Sequence, residues 1–155
     1  MKKRAHLISV LAVAAFSLVG CRPADTDVSS SPRYNFSSFT NTAWKTKVKT
    51  ALADVKEYTG RHALTVFGPR AFDKSRPDYY PPDNTRMIAE LPAGTRLRIA
   101  RLMKDNGNWG GVRVTALLDD GREVNIDEDL LATNRYFFSS PSTNWGANPD
   151  MLEKQ

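Results

Sequence analysis

The sequence predicts a mainly β domain, a small barrel or sandwich, and three observations carry that prediction. Between Arg86 and Leu131, apolar residues alternate with polar ones in short runs, the period of a half-buried strand. Turn sequences separate those runs: Leu91-Pro92-Ala93-Gly94, Asp105-Asn106-Gly107-Asn108 and Asp119-Asp120-Gly121. Asp-Gly between alternating runs signals a hairpin. Upstream, Pro81-Pro82 and Pro77 bar helix and central strand from the intervening segment. Short strands at this spacing build small β barrels and sandwiches.

Residues 1–20 have the layout of an export signal. Lys2, Lys3 and Arg4 give a cationic start, Ala5 to Phe16 an apolar body, and small Gly20 precedes Cys21. From Ala5 to Gly20 the run falls short of the roughly 20 residues that span a bilayer core. Leu18-Val19-Gly20-Cys21 resembles the lipobox of bacterial lipoproteins. The resemblance implies cleavage before Cys21 and lipidation of its thiol, with a diacylglycerol on sulfur and a further amide-linked chain. One acyl chain binds a membrane reversibly at about 0.8 kcal/mol per buried methylene, whereas two or more hold stably. Arg22 stands where Asp would suggest retention at the inner membrane. By analogy with enteric bacteria, the expected location is the outer membrane, facing the periplasm. Cleavage after Ala12-Val13-Ala14 is the alternative, and it leaves a free thiol.

The leader also accounts for much of the basic charge. The chain has 22 basic and 17 acidic residues, and three of the basic ones are Lys2, Lys3 and Arg4. Nucleic-acid binding, which needs a concentrated basic footprint, is therefore not expected. Charge is unevenly spread, with 15 basic and 8 acidic residues over 22–104 against 4 and 9 over 105–155. Mutual neutralisation within one domain is the expected result, with a basic face toward an anionic surface the alternative. Cys21 is the only cysteine, so no internal disulfide forms and stability must come from packing.

After the leader, residues 21–38 read as the acylated cysteine and a flexible tether, rich in Ser, Asp and Pro. Seventeen such residues reach roughly 20–25 Å, and Tyr34, Phe36 and Phe39 are the first that could dock on a core. Residues 39–138 form the β domain. Its opening, Trp44 to Tyr58, fits a helical face through Trp44, Val48, Leu52 and Val55, but Trp44 to Thr50 also alternates with period two. Thr and Val favour the strand, which would set Lys45, Lys47 and Lys49 on one face. His62 to Phe67 is a short strand, and Arg70 to Thr85 a long polar loop. Leu97, Ile99 and Arg101 then alternate with Arg98, Ala100 and Leu102. Val112, Val114, Ala116 and Leu118 form the next strand, turning at Asp120-Gly121 into Glu123-Val124-Asn125-Ile126. Tyr136-Phe137-Phe138 is a last strand or a docked aromatic patch. Residues 139–155 read as an irregular tail that Trp145 could pin.

Several of these segments resemble bacterial SH3-like domains: Leu64-Thr65-Val66, Leu91 to Thr95 with Leu97 and Ile99, Asn108-Trp109 before Val112, and Asp120-Gly121 ahead of Leu130-Leu131. The resemblance covers about residues 62–133. It implies an SH3-like barrel with a ligand groove beside a long loop, the ligand being a peptide or cell-wall component. The long 70–85 loop and Val124-Asn125-Ile126, where Gly-Trp-Val is common, depart from the pattern.

Catalytic chemistry finds little purchase in these residues. His62 is the one histidine left after cleavage, and no Gly-x-Ser-x-Gly sequence occurs; a partly buried strand histidine is expected. Asp119, Asp120, Glu123, Asp127, Glu128 and Asp129 could supply a carboxylate pair, but turn formation and a solvated run also account for them. The calcium-loop spacing is absent, and no metal or cofactor is expected. Gly107 to Gly111 suits a turn better than a phosphate loop. Exposed aromatic rings are better candidates, since they bury much area while ordering few torsions. Tyr79, Tyr80 and Trp109 are the candidate ligand contacts, with Lys45, Lys47 and Lys49 as an auxiliary row; the alternative is that Trp109 plugs the barrel and the tyrosines cover its side. The expected function is a lipid-anchored, non-catalytic envelope protein binding a periplasmic protein segment or peptidoglycan. A carboxylate hydrolase and a structural spacer are the rivals.

Overall fold

The computed structural model describes residues 25–57, 60–106, 111–131 and 146–155. The described chain is mainly β. Nine strands are joined in one mixed sheet: β1 (Thr26–Asp27), β2 (Ala43–Thr46), β3 (Thr50–Lys56), β4 (His62–Phe67), β5 (Thr85–Leu91), β6 (Arg96–Lys104), β7 (Val112–Leu118), β8 (Glu123–Ile126) and β9 (Leu152–Lys154). Neighbouring strands run β5-β3-β4-β8-β7-β6-β2-β9, and β1 also pairs with β6. All the pairs are antiparallel except β4 with β8. The ladder path is open, with β5 and β9 at its ends.

Hairpins set part of this order, joining β3 to β4, β6 to β7 and β7 to β8. At the β7–β8 turn, Gly121 takes φ +84, a left-handed value that suits a residue without Cβ. Gly121 N–H donates to the Leu118 carbonyl at 2.9 Å and Leu118 N–H to that of Arg122 at 3.0 Å. Gly94 (φ +94) lies in the turn that carries the chain from β5 to β6, two strands that do not pair with each other, and donates to the Thr46 carbonyl at 2.7 Å.

The main core lies against one face of the sheet, and a smaller cluster of Ala53, Phe67 and Ala71 is buried apart from it. Phe36, Leu52, Val66, Leu97, Ile99, Leu102, Val114, Val124 and Leu130 are buried in one cluster, each contributing about 1.5–3 kcal/mol over an exposed position. Strict alternation along β6 would put Arg101 inside and Leu102 outside. Instead Ile99 pairs with Ala116 and Arg101 with Thr115, so Ala100 is an extra residue. That bulge reverses the phase, and Leu97, Ile99 and Leu102 all face inward.

Two expectations for the ends are corrected. The flexible tether was expected to run to Ser38, yet Thr26 and Asp27 pair with Lys104 and Met103 on β6. Tyr34, Phe36 and Phe39 are buried in the core, the docking expected of them. The intervening serines are ordered by hydrogen bonds, which composition does not display. Ser29 donates to Asp27 at 2.6 Å and accepts from Leu102 N–H at 2.8 Å. At the other end, part of the expected irregular tail is β9, antiparallel to β2, with Leu152 buried. A three-residue edge strand with one apolar anchor is too short to register as a period. Tyr136-Phe137-Phe138 and Trp145 lie outside the described residues.

Of the 44–58 segment, the described residues 44–57 form strand in two pieces. β2 ends at Thr46, residues 47–49 turn away, and β3 starts at Thr50. Thr46 N–H donates to the Thr95 carbonyl at 2.9 Å and Lys47 N–H to that of Met151 at 2.8 Å, so the chain leaves β2 already held on both sides.

Candidate functional site

The loop joining β4 to β5 is the largest connection among the described residues, and it is locally ordered rather than structureless. Pro69 opens a 3-10 turn, Pro69–Ala71, where its fixed φ suits the first helical position. Asp73 N–H then donates to the Pro69 carbonyl at 2.8 Å. The Asp73 carboxylate accepts from Ser75 Oγ at 2.6 Å and its N–H at 3.0 Å, and these bonds lower its pKa. Arg76 donates twice to Asp78, at 2.8 and 3.1 Å, which lowers that carboxyl's pKa too. Tyr80 N–H closes the loop on the Arg70 carbonyl at 2.8 Å. Ala71 is buried against Phe67 and Ala53, fixing the base of the loop to the sheet.

Two clefts adjoin this loop. One, of about 320 Å³, lies between Arg70, Arg76 and Asp78 on the loop and Asp129, Asn148 and Met151 beyond β8. The other, of about 580 Å³, shares Arg76 and is walled by Val48, Lys49, Pro69, Phe72 and Glu90. Across the first cleft, Arg70 Nε is 3.2 Å from Asp129 Oδ2 and its Nη2 is 3.8 Å from Glu128. Asn148 Nδ2 donates to the Asp129 carbonyl at 2.9 Å. A second 3-10 turn, Glu128–Leu130, is capped by the Asp127 carboxylate, which accepts from Asp129 N–H at 3.4 Å. Burial, reinforced by the charges of Asp129 and Glu128, pushes the Asp127 carboxyl up to about 6.

Acidic groups that line these clefts are engaged in ion pairs rather than placed for proton transfer. A general acid needs a raised pKa and a path to substrate, whereas Asp129 and Asp78 are each held by an arginine. Asp127 has the raised pKa, but its carboxylate is engaged in capping and does not line either cleft. His62 is exposed rather than partly buried, with Nδ1 3.0 Å from Asp54. It also lies outside both clefts. No group of three metal-ligating side chains occurs among the described residues.

The residues singled out from sequence are only partly brought together. Tyr80 is 68% exposed, and Tyr79, half-buried, precedes it on the same loop; neither lines a cleft. Lys49 lines the larger cleft and pairs with Glu90 at 3.0 Å. Lys45, on β2, pairs with Glu153 at 3.3 Å, and Lys47 Nζ donates to the Pro149 carbonyl at 2.8 Å. The break at 47–49 separates these lysines, so the expected row is three separate pairings. Trp109 and Cys21 lie outside the described residues. Sequence reasoning missed Arg70, Arg76 and Phe72. The Arg76–Asp78 spacing was readable as a local pair, but nothing in the sequence ties Arg70 to Asp129.

Compared with family models, curated proteins and solved structures, the chain gives no match.

Proposed function

We propose that this chain is a lipid-anchored cell-envelope protein, held by acylated Cys21 and facing the periplasm from the outer membrane, whose small SH3-like β module binds a partner without catalysing a reaction. The partner class is a periplasmic protein segment or peptidoglycan. Leu18-Val19-Gly20-Cys21 after a cationic and apolar leader supports the anchor. The observation that carries the binding half is the ordered 69–80 loop, with exposed Tyr80 and a cleft whose walls mix Phe72, Pro69 and Val48 with Lys49, Arg76 and Glu90. Such a surface provides apolar area for an extended ligand and charged groups to fix its direction.

The test is photo-crosslinking in intact cells from positions Phe72 and Tyr80, with captured species identified by mass spectrometry. One envelope protein or muropeptide is expected at both positions. Its recovery should fall sharply when Phe72, Tyr79 and Tyr80 are replaced together by alanine. Undiminished capture by the folded triple variant overturns the assignment.

A further inference from the structure

Asp25 is tied to the domain from two directions. Arg61, just before β4, donates to its carboxylate at 3.0 Å, and Arg113 on β7 donates to it as well. Glu57 completes the cluster, 3.0 Å from Arg61 and 4.0 Å from Arg113. The carboxylate side chains of Asp25 and Glu57 are 7% and 21% exposed, while those of Arg61 and Arg113 are 49% and 28% exposed. Asp25 is therefore the deepest of the four side chains and Arg61 the most exposed. Immediately after Asp25, the pairing of Thr26 and Asp27 with β6 prevents the chain from paying out further.

The domain thus begins only four residues after Cys21. Four residues at full extension span about 13–14 Å, and one headgroup layer is itself about 5–8 Å thick. We propose that the surface around Asp25, Arg61 and Arg113 rests on the phospholipid headgroups of the bilayer that holds Cys21, so that the domain has one fixed end toward the lipid. This inference rests on the anchoring of Cys21 proposed above. The chain length sets the distance, and the half-exposed Arg61 side chain supplies the chemistry, a planar donor fork suited to phosphate oxygens.

The test uses the full acylated chain in vesicles of phosphatidylethanolamine and phosphatidylglycerol doped with a headgroup-spin-labelled lipid. With Cys21 acylated, one introduced cysteine is the sole labelling site. Thr26→Cys puts a fluorophore beside Asp25. Ala89→Cys puts it opposite Leu52 on β3, five residues back along the chain from Glu57, about 17 Å away at strand spacing. Both positions are exposed. Quenching at position 26 should exceed that at position 89 several-fold, and a long Gly/Ser insertion between Ala24 and Asp25 should erase the difference. Flotation with equal quenching at both positions overturns the orientation alone. Failure to float with the vesicles overturns the lipid anchor and the inference together.

Discussion

Replacing Asp127 by asparagine should stabilise the fold at neutral pH, although it removes a charge from a capping residue. The Asp127 carboxyl is raised from 3.8 to about 6, first by burial and then by repulsion from Asp129 and Glu128. A folded-state pKa above the unfolded one means that the native state binds the proton more tightly. The stability contributed by this one carboxyl is therefore fully present below about pH 4 and falls as the pH rises to about 6, with the loss complete above that. A shift of about two units corresponds to at most about 3 kcal/mol, and partial solvent access reduces the expectation to about 1–3 kcal/mol. Asparagine keeps an oxygen to accept from Asp129 N–H, so the cap survives without the charge. Urea unfolding at pH 4.5 and 7.5, followed by tryptophan fluorescence, checks this. The wild-type chain should lose stability between the two pH values relative to Asp127→Asn, and the variant should be the more stable at pH 7.5. Asp25 and Asp27 do not confound this comparison. For Asp25, burial raises the pKa but bonds from Arg113 and Arg61 outweigh it, and for Asp27 the Ser29 hydroxyl lowers it, so both act at lower pH. Parallel pH profiles for the two proteins would refute the reasoning.

Three further outcomes are expected. Asp25→Ala should cost about 1–3 kcal/mol at pH 7, because Arg61 and Arg113 lose the buried acceptor they share and are left to Glu57. Because the Asp25 pKa is lowered, the deficit should shrink as the pH falls below 4, which acid titration of both proteins measures. Thr115→Val should gain about 1 kcal/mol in denaturant unfolding, since Thr115 Oγ1 is buried without a hydrogen-bond partner among the described residues. Leu152→Ala removes the buried side chain of β9 and should cost about 2–5 kcal/mol. The accompanying loss of hydrogen-exchange protection should centre on residues 152–155 and on their partners in β2.

Much of the sheet was legible because its signals are local. The limits of β4 match the expected His62–Phe67 strand, and the Asp120-Gly121 hairpin joins β7 to β8 as its sequence requires. Burial of Tyr34, Phe36 and Phe39 follows from aromatic rings in an otherwise polar stretch. What escaped was decided by partners distant in sequence. β1 exists because β6 offers a free backbone edge at Met103 and Lys104. β9 exists because β2 offers one from Trp44 to Thr46. Period counting reads side chains and is blind to such recruitment. The β6 bulge escaped for a related reason: one extra residue inverts the phase, and Leu97-Arg98-Ile99-Ala100-Arg101-Leu102 carries no mark of where the phase breaks.

The same distinction separates the two halves of the candidate surface. Tyr80 was found because a large ring in a polar, proline-rich loop has no local route to burial, and it is exposed. The arginines were passed over because their roles depend on which acid the fold brings near. Arg76 finds Asp78 two residues away, but Arg70 finds Asp129 only when β8 lies parallel to β4 and carries the 3-10 turn back beside Pro69. The lysines fail in the opposite sense. Lys45, Lys47 and Lys49 look like a stripe under period two, yet the turn at 47–49 sends one to Glu153, one to a backbone carbonyl and one to Glu90. Pairing also explains how a basic first part and an acidic second part coexist in one domain. Arg101 meets Glu123, Arg70 meets Asp129 and Lys45 meets Glu153. Each joins a cation of the first part to an acid of the second. Part of the charge asymmetry is therefore taken up within the fold, by ion pairs that join the two parts.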